Sequence, residues 1–275
     1  MKKTLSIVLT ACILLFASAC GRNDKSITVI SREEGSGTRS AFTELTGVEE
    51  KGVDNTYARA EINASTAVVI QTVLGNKNAI GYISLGALGD SVKAISIDGI
   101  EISTQAVKDG SYPLARPFLL ATADRPRAQV QDFLRYVLSD QGQEMIRNAG
   151  YVPVSSGSYE GSGLSGTVTV AGSSSVAPVM EKLAEAYMAL NPNVSVRIQT
   201  SDSSTGLSSL AEGLCDIAMS SRGLKESETA VGIVPLTLCM DGIAVIVNLE
   251  NPVSDLSVEQ IGAIYTGDVM SWDEI

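Results

Sequence analysis

The stretch SREEGSGTRSAF, residues 31–42, concentrates side chains that bind anions. It contains Arg32 and Arg39, two glycines, and the hydroxyls of Ser36 and Thr38; an apolar run, ITVI, precedes it and a helical pattern follows it. Arginine meets an oxyanion with two parallel hydrogen bonds, glycine lets a backbone approach closely, and a helix start offers unpaired N–H groups. The segment therefore predicts one wall of an oxyanion site.

Three more loops rich in hydroxyls follow predicted strands: GSSSV (172–176), TSDSSTG (200–206) and MSSRG (219–223). Ligands of open α/β sheets collect at the carboxyl ends of strands, where all four loops lie. A serine or threonine before a helix is also an ordinary N-cap, and one hydroxyl is enough to cap one helix. Four such loops, with more hydroxyls than capping needs, favour an anion site built from several parts of the chain.

The composition excludes several classes of function. The 275 residues include no histidine, so the usual general base and the commonest metal ligand are absent. Neither a Ser-x-x-Lys sequence nor a Gly-x-x-x-x-Gly-Lys-Ser/Thr loop occurs. The net charge of −11 argues against binding to nucleic acid, although a local pocket could still hold a small anion. We therefore expect a binding protein without metal or cofactor, and not an enzyme.

The first twenty residues, MKKTLSIVLTACILLFASAC, have two lysines, an apolar run and small residues, which is typical of an export signal. Cys20 follows ASA directly, as in the lipobox of bacterial lipoproteins, although Ala17 stands where leucine is usual. We favour lipidation of Cys20, and cleavage after Ala19 is the alternative. Either way we expect the mature protein outside the cytoplasm, anchored to the outer face of the cell membrane or periplasmic.

Two cysteines, Cys215 and Cys239, remain after removal of the signal. In an exported chain they could form a disulfide. They could equally be small buried apolar residues, and we favour that interpretation.

Strand-like and helical patterns alternate along the chain, which predicts an α/β fold with mostly parallel strands. Residues 126–150 read as one long amphipathic helix ending at Gly150, and DGIAVIVN (241–248) reads as a strand. The Ser/Gly-rich segment 155–167 is the clear linker and divides the mature chain into similar halves.

Several segments in combination resemble the substrate-binding protein of the bacterial phosphate ABC transporter: VISREEGSGTRSAF, AIGYISLG, AGSSSVAPVMEKLAEAY, CDIAMSSRGLKESE, and DGIAVIVN through YTGDVMSWDEI. The resemblance covers nearly all of the mature chain. It implies the type II periplasmic-binding-protein fold, in which two α/β lobes joined by a hinge enclose a central ligand cleft. It also implies capture of inorganic phosphate outside the cytoplasm and its delivery to a membrane permease. A non-transport adhesion or signalling protein on the same scaffold is the alternative.

The order of the segments departs from that family, because the half that begins with ITVISREEGSGT stands first here. This order indicates a circular permutation, with the linker bridging the family's usual termini. A rearranged gene whose product is swapped or impaired in binding is the other explanation. The resemblance implies one lobe from 21–92 plus 248–275 and a second from 93–247, with crossovers near 92–94 and 248–251.

The site residues implied by the resemblance are Arg32, Ser36, Gly37, Thr38, Ser174, Ser175, Ser203 and Ser221. Ser221 falls where some members carry an aspartate that accepts the proton of hydrogen phosphate and thereby rejects sulfate. Asp202 or Asp241 could supply that acceptor here, or the selectivity could be weaker. Arg222 could add charge or lie on the surface. We expect Glu33 and Glu34 to be solvated or to pair with Arg39.

Overall fold

The computed structural model describes residues 25–275. The predicted export signal and Cys20 lie outside the described residues. The first part of the chain forms β1 (Thr28–Arg32), α1 (Gly37–Leu45), β2 (Glu49–Glu50), β3 (Val53–Asp54), β4 (Glu61–Asn63), α2 (Thr66–Gly75), β5 (Ala79–Ser84), β6 (Lys93–Ala94), β7 (Ser96–Ile97) and α3 (Thr104–Asp109).

The remainder forms β8 (Ala115–Ala123), α4 (Ala128–Val137), α5 (Asp140–Asn148), β9 (Val152–Pro153), β10 (Gly166–Ser173), α6 (Ala177–Leu190), β11 (Val194–Ser201), α7 (Ser203–Ala211), β12 (Ile217–Ser220), α8 (Glu226–Ala230), β13 (Ile233–Val247), β14 (Asp255–Leu256) and α9 (Val258–Thr266). The predicted alternation of strands and helices is confirmed. Short 3₁₀ turns at Leu85–Ala87 and Trp272–Glu274 complete the described elements.

Ten strands form one sheet. Eight of them follow each other as hydrogen-bonded neighbours, in the order β11-β10-β12-β8-β13-β5-β1-β4, and β6 and β9 pair with β13 beside this path. The strands β10, β11 and β12 pair in parallel at one end of this order, and β1, β4 and β5 pair in parallel at the other end. The fifteen-residue strand β13 runs antiparallel to β8 over its first part and to β5 over its last part. The strand β13 therefore connects two otherwise separate groups of parallel strands.

Two main hydrophobic cores divide the molecule into lobes. One core gathers β1, β5, α2, α9 and the end of β13, and it includes Ile95, Ile97, Val107 and Leu114. The other gathers β10, α4, α6 and the middle of β13, with Phe118 and Cys239 among its members. We call the first lobe 25–114 plus 243–275 and the second lobe 115–242.

These lobe boundaries differ from the predicted ones. Residues 93–114 were expected in the second lobe, but their apolar side chains pack in the core of the first. The chain crosses within β8 and β13, and not near 92–94 and 248–251. The reason is the length of β13, since its last five residues pair with β5 in the first lobe.

The prediction of one long helix over residues 126–150 is wrong, because this segment is not continuous. It contains two helices, α4 and α5, because Ser139 adopts an extended backbone and caps α5 by accepting a hydrogen bond from the N–H of Gly142. A serine competes for backbone hydrogen bonds and therefore favours a helix start over a helix interior.

The linker is anchored by hydrogen bonds although its residues 155–165 form no helix or strand. Its Tyr159 and Ser162 hydroxyls donate to the buried carboxylate of Asp132 on α4, at 2.8 and 2.7 Å. Tyr187 of α6 donates to the same carboxylate at 2.8 Å, and Arg135 pairs with it. Asp132 therefore joins the linker to two helices of the second lobe.

The two described ends of the chain lie side by side on the first lobe. The N–H of Ile27 donates to the carbonyl of Met270 at 2.8 Å, and the N–H of Trp272 donates to the carbonyl of Lys25 at 3.0 Å. Lys25 also pairs with Asp273. A short connection could therefore join these ends without moving the elements that they flank.

Candidate functional site

A group of seven hydroxyls lies between the two lobes. We call it the hydroxyl cluster; its members are Thr38, Thr66, Ser173, Ser174, Ser175, Ser203 and Ser221. All are buried except Ser174, which is partly exposed. Thr38 and Thr66 belong to the first lobe, at the starts of α1 and α2. The five serines belong to the second lobe, at the ends of β10 and β12 and at the start of α7.

Hydrogen bonds within the cluster cross from one lobe to the other. The hydroxyl of Ser175 lies 2.9 Å from that of Thr38 and 3.1 Å from that of Thr66. The hydroxyl of Ser221 lies 3.0 Å from that of Ser173 and 3.4 Å from those of Thr38 and Ser203. A hydroxyl can donate one hydrogen bond and accept two, so these groups can turn from each other toward an anion.

Arg32 places a buried guanidinium beside the cluster. Its NH2 group donates to the hydroxyl of Ser174 at 3.1 Å, and its NH1 group lies 3.4 Å from the hydroxyl of Thr66. Its Nε and NH2 groups donate to the two carboxylate oxygens of Glu33, each at 2.7 Å. The expectation that Glu33 is solvated or pairs with Arg39 is therefore wrong. Arg39 pairs with Asp54 instead. The buried positive charge of Arg32 is compensated by the carboxylate of Glu33.

Glycines allow the lobes to approach each other at the start of α1. A Cβ atom on Gly37 would lie 2.3 Å from the Ser203 hydroxyl oxygen and 2.8 Å from that of Ser221. A Cβ atom on Gly35 would lie 2.3 Å from an oxygen of Asp202. The carbonyl of Gly35 accepts a hydrogen bond from the N–H of Ser204 at 3.2 Å. The GSG sequence therefore serves close contact between the lobes.

The structure brings all eight residues implied by the resemblance to this boundary, but not all in the same role. Ser36 is buried and caps α1 by accepting a hydrogen bond from the N–H of Arg39, at 3.4 Å. Its hydroxyl is therefore occupied by helix capping, as the capping interpretation of these loops expected. Gly37 contributes backbone and space, and the other six contribute side chains.

The remaining charged candidates have partners of their own. Asp202 caps α7, because its carboxylate accepts from the N–H and the hydroxyl of Thr205 at 2.9 and 2.6 Å. Arg222 is buried and pairs with Glu228, so it is not a surface residue. Asp241 is buried and bound to Arg116 and Ser84. Both carboxylates therefore have hydrogen-bond partners other than the hydroxyls of the cluster.

Sequence reasoning missed Thr66 and Arg116. It named Ser173 as a hydroxyl of the GSSSV loop, but the resemblance did not include Ser173 among the site residues. Thr66 begins a helix whose N-cap is Ser65, so it reads as an ordinary first-turn residue. Arg116 lies in β8, a strand without a period-two pattern. A charged residue within the otherwise apolar run ARPFLLATA was the available signal for it.

Cys215 and Cys239 are free thiols. Cys239 is buried in the hydrophobic core of the second lobe, and Cys215 is buried in a separate, smaller group of apolar side chains. Burial raises the pKa of Cys215 to about 11 and raises that of Cys239 well above the usual range.

None of the helices formed by residues 25–275 has the length and apolar character that a membrane span needs. Within the same range, no three acidic or thiol side chains are grouped so as to hold a metal ion.

Comparison with known proteins agrees with this architecture. The PBP superfamily domain matches residues 18–141 and 157–274. Phosphate-binding protein PstS of Bacillus subtilis is 34% identical over 113 residues, which cover 40% of this chain and 38% of that protein. Phosphate-binding protein PstS 2 of Streptococcus agalactiae is 45% identical over 257 residues, which cover 91% of this chain and 88% of that protein.

A solved structure extends the agreement to the fold. The phosphate-binding protein of a phosphate ABC transporter from Streptococcus pneumoniae TIGR4 is 42% identical and superposes with a TM-score of 0.74. The match covers 91% of this chain and 99% of that one. The chain belongs to the PBP superfamily, in the family of the PstS phosphate-binding proteins.

Proposed function

We propose that this protein binds inorganic phosphate between its two lobes and delivers it to a membrane ABC permease. The observation that carries the proposal is the hydroxyl cluster at the lobe boundary, with the buried guanidinium of Arg32 beside it. The names of the relatives support the identity of the ligand and the kind of transporter.

The chemistry of the cluster suits a tetrahedral oxyanion. Phosphate oxygens accept hydrogen bonds, and the cluster offers hydroxyls from five segments of the chain together with the N–H groups at the starts of α1, α2 and α7. Arg32 supplies a positive charge in a protein whose net charge is −11. On binding, phosphate would replace hydrogen bonds that the hydroxyls of opposite lobes make to each other. Entry therefore requires the lobes to separate, and the crossover strands β8 and β13 are the place for that hinge motion.

We propose binding without catalysis. The chain lacks histidine, and the hydroxyls of the cluster have only one another, Arg32 and backbone groups as partners. A serine nucleophile needs an adjacent general base to become reactive, and the acidic side chains nearest the site are paired with arginine or cap a helix.

We propose that the chain order is a circular permutation relative to the Bacillus subtilis relative. The adjacency of residues 25 and 272 supports this, because permutation requires the new ends to be neighbours. The comparisons support it too, since 91% of the chain aligns with the Streptococcus agalactiae protein but only 40% with the other. An end-to-end match at 45% identity also argues against a recent rearrangement that impairs binding.

We also propose that Cys20 carries a lipid anchor on the outer face of the membrane. The support is the sequence pattern that precedes it, LLFASAC. A Cys20→Ala variant expressed with its own signal would leave the membrane fraction. If the variant stays in the membrane fraction as wild type does, the anchor is not at Cys20.

Thermal unfolding of the mature protein with phosphate, sulfate and molybdate tests the proposed function. A ligand that binds only the folded state must raise the unfolding temperature, and the rise must grow with ligand concentration. We expect phosphate to raise it most. An unfolding temperature that millimolar phosphate leaves unchanged would overturn the proposal.

A further inference from the structure

A buried ion pair joins the two crossover strands, and its arginine contacts the backbone of one residue of the hydroxyl cluster. Arg116 of β8 and Asp241 of β13 stand opposite each other in the antiparallel ladder, where the chain passes between the lobes. The Nε and NH2 groups of Arg116 donate to one carboxylate oxygen of Asp241 at 3.2 and 3.0 Å. Both residues are almost fully buried, with exposed fractions of 3% and 1%.

The pair contacts both lobes. The NH1 group of Arg116 donates to the backbone carbonyl of Ser221 at 3.0 Å, so it holds the loop that carries one cluster hydroxyl. The other carboxylate oxygen of Asp241 accepts from the hydroxyl of Ser84, at the end of β5, at 2.8 Å. Arg116 is therefore fixed between the first lobe and the Ser221 loop of the second.

We propose that Arg116 is a positioning residue and a second buried cation for the bound anion, with Asp241 as its titratable counter-charge. The inference rests on the proposed anion site. Arg116 fixes the Ser221 hydroxyl for the anion and adds to the positive potential there. Asp241 offsets that potential whenever it is ionised.

The surroundings of Asp241 make it the group that titrates near neutral pH. Burial raises its pKa to about 6, although Arg116 and the Ser84 hydroxyl act in the opposite direction. The other titratable groups that its charge reaches are Tyr112, Tyr151 and Cys239, and burial raises the pKa of each. Those three stay neutral through the range in which Asp241 changes charge.

The direction of the pH effect follows from these charges. Below about pH 6 Asp241 is neutral and the charge of Arg116 is uncompensated, so the site attracts an anion more strongly. Above that pH the ionised carboxylate opposes the anion. Binding an anion must in turn favour the neutral carboxyl, because the two effects are linked.

Calorimetric titration of phosphate into wild type and an Asp241→Asn variant, from pH 5 to 8, tests this inference. Phosphate changes its own charge in this range, but the ratio of the two dissociation constants cancels that change. We expect the variant to bind phosphate more tightly at pH 8, by roughly tenfold, and the ratio to approach one at pH 5. Arg116→Met should bind more weakly at every pH, and Arg116→Lys should recover part of the loss.

A purely structural role predicts a different result, because loss of either partner would then weaken binding without a pH-dependent ratio. Weaker binding by Asp241→Asn at pH 8, or a ratio that does not change with pH, would overturn the inference. Asp132→Asn removes a buried carboxylate whose partners lie on α4, α6 and the linker, outside the crossover strands, and it should leave the ratio near one at each pH. If wild type binds no phosphate at any pH, the proposed function itself fails. Thermal unfolding of each variant identifies any variant that does not fold. If an Arg116 variant does not fold, the inference is still tested, because the ratio of dissociation constants compares only wild type and Asp241→Asn.

Discussion

Arg32 shows why an arginine is required where the two lobes meet. Its guanidinium reaches Glu33, Ser174 and Thr66 at the same time, with donors in three directions. A lysine has one compact ammonium and cannot reproduce that fork. Glu33 keeps the buried charge compensated, and the NH2 group that it shares with Ser174 is the one that faces the cluster.

We propose Ser221 as the residue at which selectivity between phosphate and sulfate can be changed. Its hydroxyl can donate to either anion, whereas a carboxylate there could only accept the proton that hydrogen phosphate carries. We expect Ser221→Asp to weaken sulfate binding roughly tenfold or more relative to phosphate. Competition calorimetry with both anions checks this. An equal loss for both anions would show that Ser221 does not set selectivity.

Gly37 sets how closely the lobes approach. In Gly37→Ala the added Cβ would overlap the hydroxyls of Ser203 and Ser221. We expect phosphate affinity to fall roughly tenfold or more, because overpacking at this contact opposes closure. Gly75→Ala is the matched control, since a Cβ there meets no atom within 4 Å. Unchanged affinity in Gly37→Ala would mean that phosphate binds without this contact.

At the scale of elements, β13 determines how the lobes are connected. The sequence suggested a strand that begins at DGIAVIVN, but the strand begins eight residues earlier, at Ile233. Apart from Ile233, its first five residues are exposed or partly exposed, and its last seven residues are all buried, as expected where one strand leaves an exposed ladder and enters a covered sheet. That change of environment is set by tertiary packing, so the local pattern could not reveal it.

Asp132 is the contact that should hold the linker to the second lobe. Burial acts to raise its pKa, but hydrogen bonds from Ser162, Tyr187 and Tyr159 outweigh burial and hold the pKa below its usual value. Asp132→Asn loses charge-assisted bonds, so we expect the free energy of unfolding at pH 7 to fall by about 2–3 kcal/mol. Urea denaturation measures it.

The pH dependence provides a second check on Asp132. A carboxylate with a lowered pKa contributes stability above its unfolded pKa, and that contribution is lost as the pH falls through the lowered value. Wild type and Asp132→Asn should therefore converge in stability in acid. Asp90→Asn, which changes an exposed carboxylate on the loop between β5 and β6, should follow wild type throughout. A constant gap between wild type and Asp132→Asn would show that charge is not the reason.

At the scale of the whole molecule, the resemblance provided the two-lobe fold and the set of loops that meet. All eight implied residues lie at the lobe boundary, because each follows a strand or begins a helix at that edge. The role of each side chain among these eight residues was harder to predict from the sequence. Whether Ser36 caps a helix or faces the cluster, and whether Glu33 pairs with Arg32 or Arg39, depends on side-chain geometry. Thr66 and Arg116 come from elements without a hydroxyl-rich loop, so only the assembled fold reveals them.

The adjacent ends and the anchored linker predict that the chain closes on itself within one copy. Both connections are made within one copy, through residues 25 and 272 at one place and Asp132 at the other. We expect a monomer of the mature mass by light scattering, with and without phosphate. A stable dimer would indicate exchange of lobes between copies.

The central claim, that phosphate binds at the lobe boundary beside Arg32, is tested most directly by calorimetric titration of phosphate into wild type and Arg32→Ala. The control is Arg127→Ala, which removes an arginine paired with Asp216 on the surface of the second lobe. We predict one phosphate per chain in wild type and in the control, and an affinity roughly a hundredfold lower in Arg32→Ala, with its unfolding transition retained. Equal affinity in all three proteins would contradict the claim.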